Sequence, residues 1–276
     1  MVKMAKILVK VGGETLLAAD DRARLAADLA AVVAADADRR LCVVHGAGPQ
    51  ITQLGERLGL QSTFRAGRRV TDAAMLDAVA MAMCGQVGPT LLAACVAAGL
   101  RAVSTPAASG GLALGRKRPP KVVPGEAEPV DYGLVADLAA VDTRLLDALW
   151  AAGLVPLLSS LVSDAHGQLL NLNADSLVTG LTRQVAFADV VLVTGVPGVF
   201  RDLADPTTHL PELRAAEIDG LIASGAVQGG MIVKLQEVQE ILARGAGTVW
   251  IVGYRTPHAI ADALAGLPGV RTRVRA

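Results

Sequence analysis

Aromatic side chains make up only 3% of this 276-residue chain, although 52% of it is hydrophobic. A core of that size must therefore be built from Ala, Val and Leu. Neither sign of charge prevails, since 26 basic residues balance 26 acidic ones. No global field is available to recruit nucleic acid, so any attraction for an anion must be local. Cysteine is scarce: Cys42, Cys84 and Cys95 form no CxxC pair, and each sits among apolar neighbours. That pattern reads as buried thiols in a reduced, cytoplasmic setting. The N-terminal MVKMAKILVKVGG is basic but lacks a long apolar stretch with a cleavage site, so it does not read as a signal peptide. The longest apolar run, roughly 145–162, contains Asp147 and Pro156. It reads as a helix end, a turn at Gly153 and a buried strand, and no membrane partner is expected. Asparagine occurs twice, as Asn171 and Asn173, and lysine six times against twenty arginines. The rare types are worth locating. Lys10 and Lys234 fall in apolar, Gly-flanked segments, and both asparagines fall in one tripeptide.

What the chain does have is alternation. Residues 6–11 read as a strand ending in Gly12-Gly13, and 20–36 as a helix with Asp20 or Asp21 near its N-terminus. A second strand, 41–45, runs into Gly46-Ala47-Gly48-Pro49 and a helix through Leu58. Strand–helix–strand spacing of this kind implies parallel pairing with right-handed crossovers. A small hairpin is expected over 61–70, then a helix capped by Thr71 and another after Gly88. From 102 to 140 the chain is rich in Gly and Pro, which suggests a small antiparallel excursion containing runs at 111–114 and 121–123. The α/β alternation then returns, with strands at 154–161 and 190–193 and helices at 174–184, 214–224 and 231–244. A last strand pair brackets 257–265. No internal repeat is visible. The expected fold is a three-layer αβα sandwich with a mainly parallel open sheet, a single domain over 1–276 with two functional halves.

Three segments converge on phosphate. In KVGG (10–13), a lysine ending an apolar strand is costly unless it meets an anion, and the glycines let a ligand approach backbone N–H groups. The alternative is an edge-strand lysine that snorkels to water before a tight turn. In HGAGPQ (45–50), a Gly-rich turn at a helix start suits an anion, though such a turn also serves chain reversal alone. His45 reads as a structural strand-end residue. In GGMIVK (229–234), Lys234 follows a glycine pair; taken alone, a solvated helix lysine is the simpler account. Between them lies NLNAD (171–175), where Asp175 is either functional or an N-cap.

Taken in order, KVGG, HGAGP, GRRVTD, NLNAD and GGMIVK resemble the amino acid kinase family, specifically its acetylglutamate kinases, over nearly the whole chain. The resemblance implies an N-terminal half (about 1–165) for the amino-acid acceptor and dimerisation, and a C-terminal half (about 166–276) for ATP with Mg2+. It implies that Lys10 and Lys234 stabilise the transferring phosphoryl group while Asp175 orients them. Gly12, Gly13, Gly46, Ala47 and Thr194 are expected at the nucleotide. Arg69 is expected on the acceptor's α-carboxylate, with Gly48, Asn171 and Asn173 beside the same substrate, and no metal-ligating side chain is assigned. N-acetyl-L-glutamate is the expected acceptor, in a cytoplasmic homodimer joined by its central helices and insensitive to arginine. Acetylaminoadipate, one methylene longer, and a non-catalytic ligand sensor are the alternatives. Arg116-Lys117-Arg118 faintly resembles the aminoadipate branch, although a solvated hairpin tip accounts for it. Four positions depart from the family pattern. Ala47 replaces a glycine and would crowd a phosphate if its φ were positive. Gly195 stands where an aspartate near the nucleotide is common, Gly88 where asparagine is frequent, and Arg271 before Thr272 where glycine is usual.

Overall fold

The β-branched runs of the sequence become inner strands, and the Ala/Leu-rich stretches become the helices that cover them. The computed structural model describes residues 4–123 and 125–276; the first three residues of the segment read as lacking a leader lie outside it. The chain begins with β1 (Lys6–Val11), a 3₁₀ turn (Gly13–Leu16) and α1 (Ala19–Ala35), followed by β2 (Arg40–His45) and α2 (Gly48–Arg57). A hairpin of β3 (Phe64–Arg65) and β4 (Arg68–Arg69) leads into α3 (Ala73–Ala80). That helix continues through a π-helical stretch (Met81–Val87) into α4 (Gly88–Ala97). Next come β5 (Ala102–Pro106), β6 (Ala113–Lys117), β7 (Ala136–Val141), α5 (Arg144–Ala151), β8 (Val155–Ser159), β9 (Leu161–Ser163) and β10 (Leu169–Asn171). The remainder is α6 (Ala174–Gln184), β11 (Asp189–Thr194), β12 (Val199–Phe200), β13 (His209–Leu210), β14 (Glu212–Arg214), α7 (Ile218–Ala223), α8 (Gly230–Ala243), β15 (Thr248–Gly253), α9 (Ala259–Leu264) and β16 (Thr272–Arg275).

Eight strands form the central sheet in the order β14-β16-β15-β11-β1-β2-β8-β5. From β15 to β5 all six pair in parallel, while β16 runs antiparallel to β15. Helices cover both faces. Leu8 of β1 packs with Leu177, Val178, Leu181, Leu235 and Val238 of α6 and α8. Its neighbours Ile7 and Val9 pack with Leu25, Leu29, Val79 and Leu91 of α1, α3 and α4. Side chains alternate across a strand, so Lys10 projects from the Leu8 face, toward α6 and α8. This is the expected three-layer sandwich.

Several local readings need correction. Asp72, not Thr71, caps α3, accepting the Met75 N–H at 2.8 Å. Thr71 is instead fully buried, bridging Gly133 in the chain's middle segment. Residues 121–123 form no strand; Lys121 makes one isolated bridge to Val130. The antiparallel excursion starts later than expected, because β5 belongs to the main sheet and only β6, β7, β9 and β10 form the small second sheet. Arg118 is no solvated tip: it is buried and donates to Asp137 Oδ1 at 2.6 and 2.9 Å. Cys42 and Cys95 are buried thiols, but Cys84 is half-buried, 3.5 Å from Ser159 Oγ. The continuous helix Ala73–Ala97 is long and apolar enough to cross a membrane by length and composition, yet one face of it packs on the sheet.

Candidate active site

The order of the sheet decides where chemistry can collect. β1 lies between β2, which follows it in the chain, and β11 from the second half. The loops leaving the C-terminal ends of β1, β2 and β11 therefore meet at one edge, the place where open parallel sheets bind ligands. Gly13 shows how closely they meet. A Cβ there would lie 2.8–2.9 Å from Gln50 Oε1, Gly48 N and Pro49 Cδ, so only glycine lets the first loop nest against the start of α2. Buried Gln50 fastens the contact by donating to Gly13 O at 2.7 Å. Gly12, by contrast, faces open space, as does Gly48. Ala47 has φ −146°, a conformation any residue adopts, and its side chain is buried in the core. The expected crowding does not arise, and Ala47 has only backbone to offer a ligand. His45 is fully buried with Nε2 unpartnered. Burial pushes its pKa down to about 4, so it is neutral and structural, as expected.

Lys10 and Asp175 join the two halves. Lys10 Nζ lies 2.5 Å from Asp175 Oδ1. Asp175 opens α6, but the cap of that helix is Asn173, whose side chain accepts the Asp175 N–H at 2.7 Å. The carboxylate is thus released from capping and aimed at the lysine. Burial pushes the Asp175 carboxyl up, yet Lys10 first and Lys234 last outweigh it and hold the group below its usual range. Lys234, in the second turn of α8, is lowered by burial and then by the charge of Lys10. The two ammonium groups, 224 positions apart, therefore feel one another across a single carboxylate. The turn before α8 needs glycine, because Gly229 sits at φ 57°.

Two cavities flank this cluster. One of about 950 Å³ is lined by Glu14, Thr194, Gly195, Phe200, Met231 and Lys234, with glycines between them. The other, about 420 Å³, is lined by Arg68, Asp137, Asn173, Asp175, Arg183 and Glu237 among others. Successive faces of α8 contribute to each, so Lys234 borders the first while Glu237, one turn on, borders the second.

Not every expected residue joins. Arg69 turns away from Asp175 and donates to Gly48 O at 3.1 Å, Thr52 Oγ1 at 2.8 Å and Ser62 Oγ. Its strand neighbour Arg68, one step along β4 and so on the opposite side, enters the smaller cavity near Arg118 and Tyr132. Asn171 donates to Thr71 Oγ1 at 3.2 Å, which links it to the GRRVTD segment. Gly46 faces Ala174 at the start of α6. Thr194 accepts the Val196 N–H at 3.2 Å and donates to Val196 O at 2.6 Å, shaping its own loop at the large cavity's edge. Three participants escape a reading of the sequence: Arg68, Glu14 and Glu237. Glu237 lines the smaller cavity with Asp175, and burial followed by that neighbouring carboxylate pushes its carboxyl up to about 7.

The sequence matches the amino acid kinase family across residues 5–253. An acetylglutamate kinase of Sorangium cellulosum (strain So ce56) is 44% identical over 92% of this chain and 89% of its own length. One from Anaeromyxobacter dehalogenans (strain 2CP-C) is 40% identical, covering 92% and 93%. The crystal structure of N-acetylglutamate synthase from Neisseria gonorrhoeae, complexed with coenzyme A and N-acetyl-glutamate, superposes with a TM-score of 0.82 at 21% identity. That match covers 99% of this chain and 60% of the other, and it speaks for the shared fold alone. With the motifs in order, the sheet topology and these matches in agreement, this chain belongs to the amino acid kinase family.

Proposed function

We propose that this chain transfers the γ-phosphoryl group of ATP to the side-chain carboxylate of N-acetyl-L-glutamate, forming an acyl phosphate. The observation that carries this reading is the pair of lysines held about Asp175 on the wall between two cavities. An acceptor carboxylate with a pKa of about 4.3 is already ionised and needs no general base. Its oxygen forms the new bond to phosphorus while the bond to the bridging oxygen of ADP breaks. The obstacle is the approach of two anions, and a positioned lysine about 4 Å from a phosphate oxygen offsets it by about 4 kcal/mol at an effective dielectric near 20. Asp175 does not act as a base here; its charge keeps both ammonium groups in place.

The large cavity, drawn mostly from residues after 165, suits the nucleotide, while the acceptor belongs on the side of Asn171, Asn173 and the β3–β4 hairpin. Mg2+ fits the donor chemistry. Among the described residues no group of three or more His, Cys, Asp or Glu converges to hold a metal unaided, and Mg2+ is ordinarily held by phosphate oxygens plus one or two carboxylates. When bound it supplies neutralisation of the β- and γ-phosphate charge. A homodimer through Ala73–Ala97 is supported by the exposed Met81 and Val96 on that apolar helix, and a reduced cytoplasm by the unpaired buried thiols.

The test is to incubate the protein with ATP, Mg2+, N-acetylglutamate and hydroxylamine and to measure hydroxamate. Hydroxamate is the expected outcome, unchanged by added L-arginine. Binding of acetylglutamate without hydroxamate would point to a sensor. A higher kcat/KM with acetylaminoadipate would assign the longer acceptor; one methylene is worth only about 1–3 kcal/mol of discrimination, so this arm must be run.

A further inference from the structure

Glu14 and Gly195 explain each other. Glu14 is the second residue of the 3₁₀ turn that follows β1, and its backbone carbonyl accepts the Leu17 N–H at 3.3 Å. Its exposed side chain borders the large cavity together with Gly195 and Lys234. The nearest atom to a Cβ built on Gly195 is Glu14 Oε2, at 3.9 Å. A side chain at 195 would thus begin in van der Waals contact with the Glu14 carboxylate, and nothing else blocks it. An acidic side chain there would set a second anion beside the first, and neighbouring carboxylates resist being ionised together. Repulsion, not space, therefore favours one carboxylate at these two positions, and in this chain it comes from residue 14.

We infer that Glu14 is the protein carboxylate that meets the divalent cation carried in on the nucleotide's phosphates, and that residue 195 is bare to make way for it. The inference rests on the large cavity being the nucleotide site. Three observations bear on it. Asp175 is already committed to Lys10, and Asp202, which also lines the cavity, accepts the Ala204 N–H at 2.9 Å, whereas Glu14 has no ion pair among the described residues. Glu14 and Lys234 line the same cavity, and the charge of Glu14 reaches that ammonium. Mg2+ prefers hard oxygen donors, keeps several waters, and takes only one or two carboxylates when phosphates supply the rest; a single exposed glutamate lining the cavity suits that habit.

The experiment is calorimetric titration of the full-length protein with the non-hydrolysable analogue AMP-PNP, in Mg2+ and in EDTA. Mn2+ binding in the presence of AMP-PNP, followed by electron paramagnetic resonance, runs in parallel. Wild type should bind the analogue more tightly with metal. Glu14→Gln should lose at least about tenfold of that gain, equivalent to about 1.4 kcal/mol, with equal or tighter binding in EDTA because an anion has left the cavity. Gly195→Asp alone should weaken binding in EDTA, and the double variant Glu14→Ala/Gly195→Asp should recover the metal-dependent gain. An undiminished metal effect in Glu14→Gln would overturn the inference and leave the nucleotide cavity standing. No binding of AMP-PNP to wild type in either buffer would overturn the cavity assignment, and the inference with it.

Discussion

Replacing Glu237 with glutamine exchanges an ionisable carboxyl for an amide of nearly the same size. In the folded protein Glu237 titrates at about 7 instead of its ordinary 4.5, because burial and then the Asp175 carboxylate disfavour its charge. Below pH 4.5 the folded and unfolded chains both carry the proton, and the substitution should change stability little. Between 4.5 and 7 the unfolded chain ionises while the folded one keeps its proton, so wild-type stability falls as pH rises. Above 7 both are ionised and the cost stays constant. At about 1.36 kcal/mol per pH unit the full cost is roughly 3 kcal/mol. The side chain keeps partial contact with water, and screening trims this to roughly 2 kcal/mol. Asp175, whose own pKa is lowered, stays ionised throughout this window in both proteins and cancels from the comparison. Urea unfolding followed by fluorescence of the buried Trp150 and Trp250 at pH 5, 6, 7 and 8 measures the difference. It should be roughly 0.5 kcal/mol at pH 5, where the unfolded carboxyl is already largely ionised, and grow to roughly 2 kcal/mol in favour of the glutamine variant by pH 8. A pH-independent offset, or a variant less stable than wild type at pH 8, would refute this account of Glu237.

Other expectations can be checked with single variants. Lys234→Ala removes one of the two ammonium groups proposed to face the phosphates, and losing about 4 kcal/mol of charge stabilisation corresponds to roughly a thousandfold fall in kcat; steady-state kinetics showing an unchanged kcat would reject its role. Arg69→Ala should raise the acceptor KM, by roughly thirtyfold if a charged hydrogen bond worth about 2 kcal/mol is lost, whereas an effect confined to the KM for ATP would show the residue to be misplaced. Asp28→Ala strips the acceptor from a buried N–H, Ile260 at 2.8 Å, and a half-buried one, Ala261 at 2.9 Å, and should cost roughly 2–4 kcal/mol in urea unfolding with the active-site residues untouched.

Local pattern was enough to read most elements of the fold. Helix 174–184 was bounded correctly because Asn173 offers a cap at one end and β-branched Val185 ends the periodicity at the other. The buried parallel strands showed as short apolar runs, and the main-sheet crossovers followed from their alternation with helices. What failed was set by partners distant in the chain. Thr71 looked like a cap, yet its backbone is taken by Tyr132 and Leu134, leaving Asp72 to begin the helix. Arg118 looked like part of a solvated basic run until Asp137, nineteen residues away, gave it a buried partner. The site divides in the same way. Local pattern singled out Lys10 as a cation ending an apolar strand, but it left Lys234 as a solvated helix lysine and Asp175 as a possible N-cap; only the family resemblance put the three together. Glu14 and Glu237 are ordinary helical glutamates in sequence, and their significance comes only from what faces them. One stands against a missing side chain at Gly195, the other against the carboxylate that binds two lysines. Composition and periodicity report the properties of a segment, whereas a juxtaposition across 62 or 181 positions (175 to 237, 14 to 195) exists only once the sheet has closed. The charges that tune this site therefore had to come from geometry.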